Sequence, residues 1–157
     1  MKKILIAIDD TKGTKEIFAK CALVCDCMRP ETIILLYVEK FEGRSFIDEM
    51  LGEAEMNTLR NVLEGTEFKA ALDAKAQKIG AYYKGVMEAS ASGSRVNTVI
   101  RTGQPAEEIL KLAEEEKVDM IFVGSSGKRR WSSEILLMGS VSREVANLAK
   151  CPVLIVK

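Results

Sequence analysis

The stretch Met120-Ile121-Phe122-Val123-Gly124-Ser125-Ser126-Gly127 joins a short apolar run directly to a turn with two glycines, and Gly139-Ser140 follows a short loop later. This pattern indicates a β-strand, two glycine turns and a helix for which Ser140 is the N-cap candidate. Glycine has no Cβ, so its backbone can approach a ligand closely and adopt a positive φ. Because the free N–H groups at a helix start attract negative charge, the segment predicts an anion cradle. A nucleotide-binding α/β domain is therefore the leading hypothesis.

Four segments have continuous rather than alternating apolar residues, which is typical of parallel strands buried on both faces. They are residues 4–8, 33–38 and 120–123 and the segment Val153–Val156. A weaker segment, residues 96–100, carries Asn97 and Thr98, and these polar residues suit a strand at the edge of a sheet.

Helical periodicity lies between the predicted strands. Apolar residues at i, i+3, i+4 and i+7 indicate amphipathic helices that pack one face on the sheet. The inward-facing residues are Ile17, Phe18, Cys21, Val24, Cys25 and Met28 in the first helix, Phe68, Leu72, Ala76, Ile79, Tyr83 and Val86 in the second, Ile109, Leu110 and Ala113 in the third, and Val141, Val145, Leu148 and Ala149 in the fourth. Pro105 suits the first turn of the third helix, and residues 85–94 are predicted to be a helix end and a linker.

The alternation β-α-β-α-β-α-β-α-β predicts one α/β domain over residues 1–157, with a Rossmann-like parallel sheet and helices on both faces. Ligands of such sheets bind beyond the carboxyl ends of strands, near the point where strand order reverses. Asp9, Val38, Arg101 and Gly124 fall at such ends. Residues 39–65 are longer than a βα connection needs. They are predicted to be an insertion packed over the sheet edge, with a mobile lid or a partner-binding flap as the alternative.

The composition excludes several classes of catalytic site and partner. The 157 residues include no histidine, which excludes Ser-His-Asp and Cys-His catalysis and imidazole metal ligands. Lys+Arg and Asp+Glu both number 23, so the balanced charge gives no reason to expect nucleic acid or an anionic membrane as a partner. No apolar run approaches the roughly 20 residues of a membrane span, and the first apolar run is too short for a signal peptide. We therefore expect a cytoplasmic protein.

The four cysteines are Cys21, Cys25, Cys27 and Cys151. In a chain without a secretion signal they are expected to be reduced thiols, and free cysteine commonly packs as a small apolar residue. We predict that these cysteines are buried in this way. The alternative is a thiolate metal site or a redox role, since Cys21 and Cys25 share a helix face, but the second cysteine pair of a typical zinc site is missing.

Four further stretches occur in an order and spacing known from one family. They are Lys3-Ile4-Leu5-Ile6-Ala7-Ile8-Asp9, Arg101-Thr102-Gly103-Gln104-Pro105-Ala106-Glu107-Glu108-Ile109, Val118-Asp119-Met120-Ile121-Phe122-Val123-Gly124-Ser125, and an ending from Gly139-Ser140-Val141-Ser142 to Cys151-Pro152-Val153-Leu154-Ile155-Val156. Over nearly its whole length the chain resembles the universal stress protein family. The resemblance implies a five-stranded parallel sheet of strand order 3-2-1-4-5 and a homodimer formed by pairing of the last strands, here Val153–Val156.

Members of this family that bind ATP carry the pattern G-x2-G-x9-G-S/T, whose backbone amides and hydroxyl hold ribose and phosphates. Gly124 and Gly127 fit its first part and Gly139-Ser140 its last, but eleven residues, 128–138, separate the two parts instead of nine. A longer loop is easily absorbed, because loop closure entropy changes slowly with length. The alternative is that the extra residues tilt Gly127 out of line or let Trp131 fill the pocket.

The same resemblance assigns roles to individual residues. It implies that Asp9 lies at the ribose or adenine end and that Val38 contacts adenine through backbone and apolar atoms. The candidate nucleotide-binding residues are Asp9, Val38, Val123, Gly124, Ser126, Gly127, Gly139, Ser140 and Val141. Lys128, Arg129 and Arg130 are candidate phosphate contacts, with a solvated loop as the alternative. Asp9 has an alternative role as a cap of the turn after its strand.

Three functions remain open from the sequence. The first is a stress-response or signalling module that binds ATP, ADP or AMP, with or without Mg²⁺, and acts on an unidentified protein partner. The second is a dimeric interaction protein of the same fold that binds no nucleotide. The third, a slow ATPase or a nucleotidyl transferase, is the weakest, because the G-x4-G-K-S/T phosphate loop is absent. No dedicated base is visible either, although Asp9 or Asp10 could help to hold Mg²⁺.

Overall fold

The computed structural model describes residues 2–9, 12–39, 67–91, 93–125 and 138–157. Strands and helices alternate along them. The elements are β1 (Lys3–Ile8), α1 (Lys12–Met28), β2 (Thr32–Glu39), α2 (Glu67–Ser90), β3 (Arg95–Thr102), α3 (Pro105–Glu115), β4 (Met120–Gly124), α4 (Ser140–Leu148) and β5 (Val153–Val156). Apart from Glu39, the segment predicted to be an insertion lies outside the described residues, so the single domain and the insertion stay predictions.

The strands form a five-stranded parallel sheet in the order β3-β2-β1-β4-β5. β1 lies at the centre, where Ile4 is paired with Ile33 of β2 on one side and with Met120 of β4 on the other. The chain moves outward from β1 to β3 and then returns to β4, so strand order reverses between β1 and β4. The predicted α/β fold and strand order are confirmed.

Two apolar cores cover the two faces of the sheet. Alternate residues of β1 point to opposite faces, and Ile4 and Ile6 belong to the core under α1 and α2, whereas Leu5 belongs to the core under α3 and α4. The helices contribute the side chains that the periodicity predicts. Phe18, Cys21, Cys25, Ala76 and Tyr83 are buried in α1 and α2, and Ile109, Ala113 and Val145 are buried in α3 and α4. The side chains of Ile17 and Phe68, also predicted to face inward, lie outside the described part of the chain.

α2 ends at Ser90, within residues 85–94, which the sequence predicted to be a helix end and a linker. Met87 is fully buried beneath this last turn, and its packing on the sheet outweighs the low helix propensity of glycine and serine. Leu148, predicted to face inward, is 60% exposed, because α4 ends at this residue and its buried side carries Ser142 and Val145.

The two edge strands differ from each other in side-chain character. β3 is an edge strand, as its polar residues predicted, and Arg95, Asn97 and Ile100 are exposed. β5 was expected to be buried on both faces, but it is the opposite edge strand, and Val153, Leu154 and Ile155 are only half-buried. A strand at the edge of a single chain has a neighbour on one side only, which leaves this apolar strand partly uncovered.

The cysteines of α1 lie on two sides of the helix. Cys21 and Cys25 are buried as predicted, and burial is the main cause that raises the pKa of their thiols, to about 12 and about 11. Cys27 is exposed, contrary to the prediction, because residues two positions apart do not share a helix face. Cys151 is half-buried. Within the described ranges, no group of three or more His, Cys, Asp or Glu side chains is placed to hold a metal ion.

Among the described residues, no helix is both long enough and apolar enough to span a membrane.

Candidate functional site

The candidate site lies at the edge of the sheet where the strands end. Asp9 follows β1 directly, Val38 is the penultimate residue of β2, and Gly124 is the last residue of β4. Because these three neighbouring strands are parallel, their carboxyl ends meet at one edge, on either side of the point where strand order reverses. Asp9, Val38 and Gly124 are half-buried, while the side chain of Val123 is 3% exposed and packs in the core under α3 and α4.

The start of α4 returns to this edge and is hydrogen-bonded to the end of β4. The amide of Gly139 donates to the carbonyl of Ser125 over 2.8 Å, although the two residues are 14 positions apart in the sequence. The structure therefore brings the two predicted halves of the site, Gly124 and the Gly139-Ser140-Val141 run, to one place.

The far side of Ser125 is bonded to β5. Its amide donates to the carbonyl of Val156 over 2.8 Å, and Gly124 is the register partner of Val156. Ser125, the residue that follows β4, is thus held from both sides, by β5 through its N–H group and by the start of α4 through its carbonyl.

Ser142 contributes a contact that the sequence did not reveal. Its side chain is 2% exposed, and its hydroxyl lies 3.0 Å from the carbonyl oxygen of Gly139 and 3.2 Å from that of Ser125. The hydroxyl has one proton, which it donates to one of these carbonyls at a time or shares between them. The signal in the sequence was a polar residue on the inward face of a predicted helix, at a place where Val145 and Ala149 are apolar.

Ser140 is the first residue of α4 and not its N-cap, contrary to the prediction. Gly139 occupies the N-cap position, and no side chain caps it. Ser140 is exposed. The first amides of α4 have no partner within the helix, as at any helix start, and the first turn carries no acidic residue. This helix end therefore attracts anions.

The glycines of the site that the structure describes do not need positive φ. Gly139 has φ −59° and ψ 155°, which any residue can adopt. Among the described glycines only Gly93, far from the site in the chain, has a positive φ, of 98°. Neither Gly124 nor Gly139 uses the left-handed conformation that glycine allows, and close approach of a ligand to the backbone stays a prediction there.

Several predicted site residues fall outside the described part of the chain. They are Ser126, Gly127, Lys128, Arg129 and Arg130, together with Trp131 and Asp10. Their roles stay predictions.

A second polar cluster lies at the same edge on the opposite face of the sheet. The buried carboxylate of Glu39, at the end of β2, accepts hydrogen bonds from Lys69 Nζ over 2.7 Å and from Thr102 Oγ1 over 3.1 Å. Lys69 also contacts Asp73 over 2.8 Å. Burial lowers the pKa of Lys69, but its hydrogen bonds to Asp73 and Glu39 outweigh this and raise it overall. The cluster ties the end of β2 to the first turns of α2.

Arg101, which the sequence placed at a strand end, forms ion pairs with two residues of α3. Its guanidinium pairs with Glu115 and, over 3.4 Å, with Glu108. The hydrogen bond from Arg101 is the main cause that lowers the pKa of Glu115. Arg101 therefore links β3 to the helix that follows it.

Comparison with known proteins identifies the family. A model of the universal stress protein family matches residues 1–157 of the chain. The chain belongs to the universal stress protein family. It is 35% identical over 159 aligned residues to the universal stress protein MJ0577 of Methanocaldococcus jannaschii, an alignment that covers 99% of this chain and 94% of that protein.

Solved structures of universal stress proteins share the fold. The structure of MJ0577 superimposes with a TM-score of 0.75 at 31% identity, covering 99% of this chain and 95% of the other. A universal stress protein in complex with cAMP gives a TM-score of 0.61 at 18% identity, covering 98% of this chain and 94% of the other. One from Archaeoglobus fulgidus in complex with dAMP gives 0.58 at 15% identity, covering 100% and 98%. At these last identities the likeness concerns the fold alone.

Proposed function

We propose that the protein binds an adenine nucleotide, ATP, ADP or AMP, at the carboxyl edge of the sheet and acts as a stress-response or signalling module. The observation that carries the proposal is the hydrogen bond between Gly139 and Ser125, which assembles a helix start and a strand end into one site. An adenine nucleotide consists of phosphates, a ribose and a base, and for each of them a suitable group of the protein lies at this edge.

The phosphates are assigned to the start of α4. Free amides and the helix dipole favour an anion there. α1, α2 and α3 also begin at the carboxyl edge. The first turns of α2 and α3 carry the acidic residues Glu67 and Glu107 with Glu108, which repel an anion, whereas those of α1 and α4 carry none. The hydrogen bond that joins Gly139, at the start of α4, to Ser125 supports α4 rather than α1 as the phosphate-binding helix.

The base and the ribose are assigned to the ends of β1 and β2. Val38 is half-buried and offers apolar contact, and Asp9 offers a carboxylate that accepts hydrogen bonds from ribose hydroxyls. The cAMP and dAMP complexes of other universal stress proteins support the choice of ligand class, since both ligands join adenine to a sugar and a phosphate. Mg²⁺ enters the proposal only as a companion of the phosphates of ATP.

The test compares two glycine-to-alanine variants by calorimetric titration with ATP–Mg²⁺, ADP and AMP. Gly139→Ala is compatible with the backbone at φ −59°, so it should fold normally and bind at least about tenfold more weakly, because the new methyl occupies ligand space. Gly85→Ala is the control, since a Cβ at Gly85 meets nothing within 4 Å, and it should bind as the wild type does. A wild-type protein that binds none of the three nucleotides would contradict the proposal.

We also propose that the protein forms a homodimer by pairing of β5 with its copy. The support is the half-buried apolar edge of Val153, Leu154 and Ile155. Leu154→Lys should convert the dimer to a monomer in analytical ultracentrifugation, because a charge at this edge opposes pairing. Ile100→Lys, at the opposite edge, is the control and should stay dimeric. A dimer that carries no nucleotide would favour the alternative function, an interaction protein of the same fold.

A further inference from the structure

We infer that Ser142 is a positioning residue of the nucleotide site. Its hydroxyl fastens the first turn of α4 to the end of β4 and thereby sets the spacing between the two described halves of the site. The inference rests on the proposed function, and it adds a residue that belongs neither to the glycine pattern nor to the predicted contacts.

Ser125, Gly139 and Ser142 are joined to one another by hydrogen bonds, and we call these three residues the clasp. The Gly139 amide donates to the Ser125 carbonyl over 2.8 Å, and the Ser142 hydroxyl lies within 3.2 Å of that carbonyl and 3.0 Å of the Gly139 carbonyl. The Gly139 carbonyl also accepts from the Arg143 amide over 3.0 Å. A carbonyl oxygen has two lone pairs, so each carbonyl can accept a backbone amide and the hydroxyl, and the one hydroxyl proton is shared between the two carbonyls.

The clasp is anchored in the sheet. The Ser125 amide donates to the Val156 carbonyl over 2.8 Å, so Ser125 cannot shift without disturbing the end of β5. The hydroxyl of Ser142 therefore links the first turn of α4, through Ser125, to the sheet itself.

Burying the hydroxyl of Ser142 costs free energy, and its contacts with the two carbonyls offset this cost. Ser142 is 2% exposed and lies on the same buried side of α4 as Val145, which is fully buried. A hydroxyl buried without partners is unfavourable, and alanine has a higher helix propensity than serine. The two carbonyls of the clasp explain why serine can stand at this position, and the amides assigned to the phosphates, those of Ser140 and Val141, lie in the same turn of α4.

The experiment uses the full chain and four variants. Ser142→Ala removes the hydroxyl without adding bulk. Ser142→Thr keeps a hydroxyl, and Ser142→Val has the shape of threonine without it. Val145→Ala loosens the packing of α4 and leaves the clasp intact. Each protein is titrated with ATP–Mg²⁺, its melting temperature is measured, and amide hydrogen exchange at Gly139 and Ser125 is followed in the ligand-free state.

The expected result separates the hydroxyl from general stability. Ser142→Ala and Ser142→Val should bind ATP about fivefold to tenfold more weakly than the wild type and Ser142→Thr, and their Gly139 amide should exchange faster by a similar factor. Val145→Ala should melt at a lower temperature with its ATP affinity unchanged. If the threonine and valine variants do not fold, the comparison of Ser142→Ala with the wild type and with Val145→Ala decides.

Two results overturn the positioning role alone. One is equal ATP affinity in the wild type and Ser142→Ala, with unchanged exchange at Gly139, while the wild type binds ATP. The other is an equal loss of affinity in Ser142→Ala and Val145→Ala, because the loss then follows helix stability. A wild-type protein that binds neither ATP, ADP nor AMP overturns the proposed function, and the positioning role with it.

Discussion

Gly80 of α2 lies so close to Thr98 of β3 that a Cβ atom at position 80 would come within 2.6 Å of Thr98 Cγ2. Real Cβ atoms essentially never approach a heavy atom so closely, and the branched threonine side chain has little freedom to move away. The contact explains why a residue of low helix propensity stands in the middle of a 24-residue helix. It allows α2 to pack directly on the edge strand.

The Gly80–Thr98 contact predicts opposite signs for two glycine-to-alanine changes in one helix. Gly80→Ala should lower the free energy of unfolding by about 1–3 kcal/mol, because overpacking outweighs the gain in helix propensity. Gly85→Ala, where a Cβ meets nothing within 4 Å, should raise it by about 0.5–1 kcal/mol. Urea unfolding measures both. Thr98→Ser removes the clashing methyl and should restore stability in the double variant; a double variant as unstable as Gly80→Ala would show that the strain lies elsewhere.

The left-handed backbone conformation of Lys117 is expected to lower the stability of the fold. Lys117 follows α3 with φ 51°, a left-handed conformation in which the Val118 amide bonds the Ala113 carbonyl over 3.0 Å. This is the helix-ending geometry for which glycine is preferred. Lys117→Gly should therefore raise the free energy of unfolding by about 1 kcal/mol. Lys111→Gly, at an exposed position inside α3, is the control and should lower it by about 1 kcal/mol. The same sign for both would contradict the argument.

The thiols are expected to differ sharply in reactivity. Cys27 is exposed, whereas burial raises the pKa of Cys21 to about 12 and of Cys25 to about 11, which leaves almost no thiolate at neutral pH. In the folded protein iodoacetamide should modify Cys27 first and Cys151 more slowly, whereas Cys21 and Cys25 should react only after unfolding. Peptide mass spectrometry reports the order. Cys27→Ser should abolish the fast phase, and rapid labelling of Cys21 in the folded protein would mean that α1 opens locally.

The ion pair of Glu39 and Lys69 should stabilise the fold until strongly alkaline pH. Lys69 has a pKa above its ordinary value of 10.5 in the folded protein. Its stabilising contribution is therefore complete below that value and is lost as pH rises through the folded pKa. Lys69→Met should lower the free energy of unfolding by about 2–4 kcal/mol at pH 7, since it leaves a buried carboxylate without its cation. Thermal unfolding from pH 7 to pH 11.5 should show the difference from wild type shrinking only above about pH 10.5; a difference that does not change with pH would argue against the ion pair.

Glu39→Gln is the matched variant for this pair. An amide retains an acceptor for Lys69 and Thr102 without placing a charge in a site that is 4% exposed. We expect a smaller loss than for Lys69→Met, because removal of the buried charge also removes its desolvation cost. A larger loss would show that the carboxylate itself is required.

The sequence predicted the elements well wherever their signal is local. Apolar runs and helical periodicity depend only on neighbouring residues, and they found the strands and helices that the structure describes. The last turn of α2 stays helical despite Gly85 and Ser90 because Met87 packs on the sheet, and this contact overrides a local preference against helix. The edge position of β5 followed only from the family resemblance; its apolar run by itself predicted burial on both faces, because the composition of a strand does not show which neighbours it has.

The position of part of the candidate site was also predicted from local signals. The strand ends at Asp9, Val38 and Gly124 follow from the order of the elements, and the glycine pattern pointed to the start of α4. Ser142 and Glu39 were not found, because their roles depend on residues that are distant in sequence. The Ser142 hydroxyl bonds a carbonyl 17 positions away, and Glu39 pairs with a lysine 30 positions away.

The sequence by itself determined the class of fold and the family, and it placed the candidate site at the carboxyl edge of the sheet, because these follow from local patterns read in order along the chain. Only the tertiary structure decided that Gly139, not Ser140, is the N-cap of α4 and that Ser142 joins α4 to the end of β4. Hydrogen bonds between distant residues form only when packing of the two cores has brought their elements together. The spacing of the two halves of the site is therefore a property of the folded chain.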